Sequence, residues 1–215
     1  MNELGTSEVS EMQKVQVEGF KNIKPESSMS PNDAKAYLDK VFDSQNDGGQ
    51  NKSENRIYLD DNGNEYRSGN DLKPNNQYEI NGYKYSTDDE GRITAAEGKL
   101  HMKEHDGRLP MNDSISVIGK GFEKETDDRG HLIGDQFGGS GGMENMIPQD
   151  SSINRGSYKN LENQLANEVK AGNDVSVKVE PVYVDDSKRP DAVVVTSTIN
   201  GIESMQIFPN ERSTT

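Results

Sequence analysis

Apolar positions are sparse along this chain and change their spacing from one stretch to the next, and those changes divide it. Residues 1 to about 29 are polar and aperiodic, with KPESSMS marking a loop, and read as a linker. A helix is predicted after it. Ser30 can cap that helix, Pro31 suits the first helical position, and Asp33 favours the first turn. Tyr37, Leu38, Val41 and Phe42 share one face. The solvated run SQNDGGQNKSEN ends it by Ser44. From Arg56 to Ile93 the texture turns to short strands. YLDDNGNEY, YEINGYKY and YSTDDEGRI each set a turn dipeptide between β-favouring residues, which predicts a pair of hairpins or a meander. The DDNG and DDEG turns resemble each other as a weak internal repeat. An EF-hand reading of Asp60, Asn62 and Asn64 fails, because the glycine falls at the fourth place of the run instead of the sixth, so an exposed turn is expected.

Beyond Ser114 the chain runs through SISVIGKGF and a glycine-rich stretch, then into a helix and three strands. Tyr158, Leu161, Leu165, Ala166 and Val169 recur at helical spacing, and Gly172 ends the helix. DVSVKVEPVYV, DAVVVTSTI and ESMQIF alternate or carry β-branched runs, and Asn200-Gly201 is a strong hairpin turn between the last two. An α+β fold follows, with an antiparallel sheet preceded by β-hairpins and an N-terminal helix and linker. The expected division is a polar segment over 1–54 and one compact domain over 55–215.

Composition sharpens this picture and complicates it. Only 29% of residues are apolar and tryptophan is absent; mean hydropathy is -0.98. Part of the chain therefore lacks the apolar surface to offset its ordering entropy, and the N-terminal side is the expected place. The net charge of -14, with a pI near 4.7 and both halves acidic, argues by itself against a nucleic-acid binder, since phosphate contacts normally come from a basic patch. With no cysteine, any metal must be held by oxygen or imidazole ligands, and a hard cation such as Mg²⁺ fits best. No run approaches the roughly 18 to 20 apolar residues of a membrane span, and Met1 to Ser10 lacks the features of a signal peptide.

Candidate chemistry concentrates between Thr126 and Glu162. His131 closes the run Asp127-Asp128-Arg129-Gly130-His131, and the apolar Leu132 and Ile133 after it suggest a strand. His101 and His105 sit in a charged, featureless segment. Taken alone, His131 is more often an ordinary hydrogen-bonded histidine than a catalyst. Asn154 and Glu162 lie eight residues apart, which sets Asn154 at the mouth of the helix and Glu162 about two turns inside, on nearly the same face. An amide oxygen and a carboxylate so stacked can hold a hydrated cation, one directly and one through its waters. The plainer alternative is that Asn154 caps the helix and Glu162 lies on the surface.

Read in order, DDRGH, NMIPQ and INRGSYKNLE resemble the DNA/RNA non-specific endonuclease family, over roughly residues 78 to 208 with a core over 126–170. YEINGYKYSTDDEGRI, GGSGGMEN and EPVYVDDSKRPDAVVVT are similar to its toxin branch, the C-terminal nuclease domains of polymorphic and type VII-secreted antibacterial toxins. The resemblance implies a ββα-metal fold. It makes His131 the general base, Asn154 the direct Mg²⁺ ligand, and Glu162 the residue that orients a metal-bound water. Arg129 would steady the phosphate and Asp128 would shape the site, with Asn145 and Gln149 at motif positions of undefined role. A further upstream phosphate-contacting arginine would be Arg92, Arg108 or neither.

Phosphodiester hydrolysis needs a base, charge neutralisation and help for the leaving alkoxide, and this set can supply them with Mg²⁺, or Mn²⁺ in its place. An imidazole near its ordinary pKa of about 6.5 is free to act at neutral pH and is lost as a base in mild acid. With no base-reading element evident, cleavage of DNA or RNA should be largely sequence-blind. Arg129, Arg155 and Lys159, together with the cation, can make the helix mouth locally positive despite the net charge. The expected whole is a toxin nuclease delivered into target cells as part of a larger secreted effector, covered in the producing cell by an immunity protein. An inactive binding module of the same fold and a secreted nutritional nuclease are the alternatives.

Overall fold

The computed structural model describes residues 56–104, 111 and 113–211. The helix expected from Ser30 to Ser44 lies outside them, as do His105 and Arg108.

Three antiparallel sheets and one long helix make up the described fold, a mixed α+β arrangement. β1 (Ile57–Leu59), β2 (Glu65–Ser68) and β3 (Asp71–Leu72) form a small three-stranded sheet. β4 (Gln77–Ile80), β5 (Tyr83–Thr87) and β6 (Ile93–Lys99) follow as a meander, and a short helix α1 (Ile115–Gly119) is capped by the Ser114 hydroxyl. β7 (Asp127–His131) and β8 (Met146–Asp150) pair with each other, and a helix, α2, follows at once over residues 151–170. β9 (Val175–Val182), β10 (Ala192–Ile199) and β11 (Ile202–Pro209) complete the chain.

Of the hairpins expected between Arg56 and Ile93, β1-β2 lies in the small sheet, whereas β4 and β5, with β6, are part of the large one. The large sheet has the order β11-β10-β9-β6-β5-β4, with β6 hydrogen-bonded to β9 across the sequence gap. Strand alternation explains its burial. Val175, Val177 and Val179 of β9 and Val193 and Val195 of β10 are buried at every second position. Leu161, Leu165 and Ala166 of α2 join them in one core, the stripe read from helical spacing. Tyr158 fixes the helix in two directions: its ring meets Phe208 edge-on at 5.2 Å, and its hydroxyl donates to the Leu132 carbonyl at 2.8 Å.

The turns confirm the local signals. Asn200 and Gly201, at φ 50 and 83, are both left-handed, as a two-residue hairpin between β10 and β11 requires. The DDNG and DDEG turns share one device: Asp60 Oδ1 accepts from the amides of Asn62 and Asn64, and Asp88 Oδ1 from those of Glu90 and Arg92. Asp60 itself is buried, so that turn is exposed only at its tip.

Candidate active site

β7, β8 and the start of α2 position the candidate residues. Antiparallel pairing sets Asp128 opposite Gln149, Gly130 opposite Ile147 and His131 opposite Met146. The strand ends at His131, one or two residues short of the expectation. Leu132 and Ile133 are instead buried in a turn held by Asn145, whose Oδ1 accepts from the Ile133 amide and whose Nδ2 donates to the Ile133 and Ser140 carbonyls. Asn145 thus acts as a side-chain strand that fixes the exit from His131. Gln149 is fully buried across Gly130, where any Cβ would overlap its side chain, so the motif glycine is a clearance for Gln149.

The helix begins earlier than the sequence suggested. Asp150 caps it by accepting from the Ser152 amide, so Asn154 lies inside the first turns and is neither the mouth nor the cap. Residues Asn154–Tyr158 form a π turn before the regular helix Lys159–Lys170. Such insertions cost regular hydrogen bonding and recur at functional sites, where they re-aim side chains.

Asp128, Arg129, His131, Asp135, Gln136, Asn154, Arg155, Lys159 and Glu162 line one open cavity of about 750 Å³. All seven site candidates from the sequence are among them. Asp135 and Gln136 were not anticipated, since they lie in a short 3₁₀ turn after the motif with no spacing signal of their own. Arg92 is elsewhere. It binds Asp88 at 2.6 Å and the Asp185 carbonyl, and stacks over Tyr183.

Within the cavity the carboxylates and cations are interlocked. Arg155 grips Asp128 with two nitrogens at 2.7 and 2.6 Å, and the guanidinium holds the Asp128 carboxyl below its ordinary range. Asn154 Nδ2 also donates to Asp128 at 3.0 Å. Because a carboxylate only accepts, this bond fixes the amide's orientation and turns its carbonyl oxygen away from Asp128. Lys159 reaches Glu162 at 3.0 Å, and Glu162 is largely sheltered, with its side chain 14% exposed. Glu162 is therefore no surface residue. Its carboxylate lies directly over Gly134, where a Cβ would overlap it. Arg129 donates to the Asp113 carbonyl at 2.9 Å.

Three cationic and three acidic side chains line the cavity, so the protein alone makes it balanced and not basic. Among the described residues no three His, Asp or Glu side chains converge as a metal cage. The donor set present, one oriented amide oxygen and one carboxylate, fits a hard cation that keeps most of its water.

Several known proteins are similar to this chain. Among the curated proteins, the type VII secretion system protein EssD of Staphylococcus aureus (strain USA300) is 32% identical over 148 residues, 65% of this chain and 24% of that protein. The probable deoxyribonuclease RhsA of Dickeya dadantii (strain 3937) is 28% identical over 111 residues, 52% of this chain and 8% of its own length. The chain thus spans about a quarter or less of these relatives. Of solved structures, the Sda1 nuclease with bound zinc ion aligns at a TM-score of 0.39 and 25% identity, over 41% of this chain and 40% of that one. An extracellular endonuclease aligns at 0.44 and 18% identity, over 58% and 75%. The DNA/RNA non-specific endonuclease family itself matches residues 74–201, more than half the chain and all of the β7–β8–α2 unit, and the chain belongs to that family.

Proposed function

We propose that the protein is a metal-dependent, sequence-non-specific endonuclease that hydrolyses phosphodiester bonds of DNA, RNA or both. The observation that carries this is the convergence of His131 and Arg129 from β7 with Asn154 and Glu162 from α2 on one open cavity. In this reading His131 takes a proton from the attacking water as general base, and Arg129 steadies the scissile phosphate. Arg155 and Lys159 meet the flanking phosphates, and Asp128 holds Arg155 and Asn154 in place. Asn154 would hold Mg²⁺ (or Mn²⁺) directly through its carbonyl and Glu162 would hold it through water. Once bound, the cation would neutralise charge developing on the phosphate oxygens. It would also tip the balanced cavity positive, which explains how so acidic a chain could take a polyanion.

The ββα-metal description and the division into a 1–54 segment and a 55–215 nuclease domain belong to the same proposal. The similarity to a type VII secretion protein and to a probable deoxyribonuclease favours a delivered antibacterial effector over a nutritional nuclease. An immunity protein that covers the cavity in the producing cell follows from that reading. Incubating the protein with plasmid DNA and with RNA, in Mg²⁺ or in EDTA, tests the proposal. Degradation in magnesium alone is expected, and intact substrates under both conditions would favour an inactive binding module instead.

A further inference from the structure

Arg129 does not hold its place alone. Its Nη1 donates to the main-chain carbonyl of Asp113 at 2.9 Å, and Asp113 is itself bolted in from the opposite direction. Both its carboxylate oxygens receive the Arg67 guanidinium, at 2.8 and 2.6 Å, and Oδ2 also accepts from the Met143 amide at 2.8 Å. The pair is buried, with side chains 4% and 8% exposed. Arg67 is in turn fully committed: Nε donates to the Gly69 carbonyl at 2.7 Å, and the guanidinium covers the Tyr58 ring at 4.2 Å. Glu144 adds a further carboxylate oxygen at 4.0 Å.

A buried, bidentate ion pair is a poor way to gain stability, because desolvation offsets most of the attraction, but it fixes geometry well. Here the geometry fixed is that of residue 113, whose carbonyl is the peg for Arg129. A long guanidinium side chain loses rotamer freedom when it must meet a phosphate. Docking it beforehand on a rigid carbonyl removes that cost from substrate binding.

We propose that Arg67, from the small β1-β2-β3 sheet outside the family-matched residues 74–201, is a positioning residue for substrate binding: through Asp113 it presets Arg129 at the cavity wall. The proposal rests on the phosphate-contacting role of Arg129 given above. It assigns the small sheet a task in the site beyond covering the core. It also makes β2 and the motif strand β7 one mechanical unit, although the two share no sheet.

The test compares kcat and KM on plasmid DNA for Arg67→Lys and for the double variant Arg67→Met/Asp113→Leu, each with Arg129 intact and in an Arg129→Ala background, and for Arg129→Ala alone. The double variant removes both buried charges together, so neither is left unpaired. With Arg129 intact, KM should rise roughly 10-fold, the low end for partners that orient functional side chains, while kcat stays within about twofold, as for lost uniform binding. Arg67→Lys, which keeps the charge but loses the fork, should fall between this variant and the wild type. In the Arg129→Ala background the same changes should have no further effect. An equal loss with and without Arg129 would mark mere destabilisation and overturn the proposal, as would an unchanged KM in the double variant. Should the double variant melt below assay temperature, Arg67→Lys alone with and without Arg129 makes the same decision. If Arg129→Ala by itself leaves KM unchanged, the phosphate role beneath the proposal fails first, and the proposal with it.

Discussion

His131, Asn154 and Glu162 were legible as residues because each belongs to a run whose types and spacing carry chemistry. In the fold, the Asn154 amide is oriented by Asp128, and Glu162 is sheltered against Gly134. His131→Ala should fold normally and lose at least about 100-fold in cleavage rate, the low end of what a positioned general base contributes; near wild-type turnover would remove it from the mechanism. Asn154→Ala should abolish magnesium-dependent cleavage, whereas Glu162→Gln, which can still hydrogen-bond a coordinated water, should only impair it. Metal-titrated assays of the two variants would expose a swapped assignment by the reverse ranking. Arg67 and Asp113 were not legible. A lone arginine in a strand and a lone aspartate in a loop have no spacing relation, and only the fold brings them together.

Among the elements, the long helix was read correctly in its apolar stripe and its end at Gly172, but not in its start. The cap is Asp150, hidden at the end of a buried strand, and a π turn has no signature in the apolar spacing. Two measurements probe how these elements serve the site. Gly134 has φ -62, so alanine fits its backbone, yet the added methyl would displace the Glu162 carboxylate. Gly134→Ala should therefore melt near the wild-type temperature while losing up to about 100-fold in rate, as expected for a misplaced site group. The cap carries a pH signature. Ser152 donates to Asp150 and holds its carboxyl below the ordinary value of 3.8. A group depressed on folding contributes stability that is present above its unfolded value and lost as pH falls through the folded one. Asp150→Ala should thus cost about 1 kcal/mol at pH 7 in urea unfolding, with the gap to wild type narrowing below pH 3.8.

Across the whole molecule, the early hairpin strands and the three C-terminal strands were foreseeable from alternation and turns, while β8 and the pairing of the strands were not. Nothing in local pattern says that β6 should bond β9, which joins the early hairpins and the late strands into a single sheet. That join fixes the outcome of truncation. Removing residues 1–52 leaves every described element in place and should yield a soluble nuclease. Beginning near Lys99 deletes β4, β5 and nearly all of β6, along with Arg67, and should yield an unstable product in thermal melts. Loss of cleavage in a folded 53–215 protein would instead give the N-terminal segment a part in substrate binding. Whether His131 acts in a magnesium-dependent site is decided by one time course: plasmid DNA with wild type and with folded His131→Ala, each in Mg²⁺ and in EDTA. Wild type should degrade the plasmid rapidly in Mg²⁺ and not in EDTA, and the variant should be slower by at least about 100-fold in Mg²⁺. Equal rates with and without the metal, or between the two proteins, would contradict it.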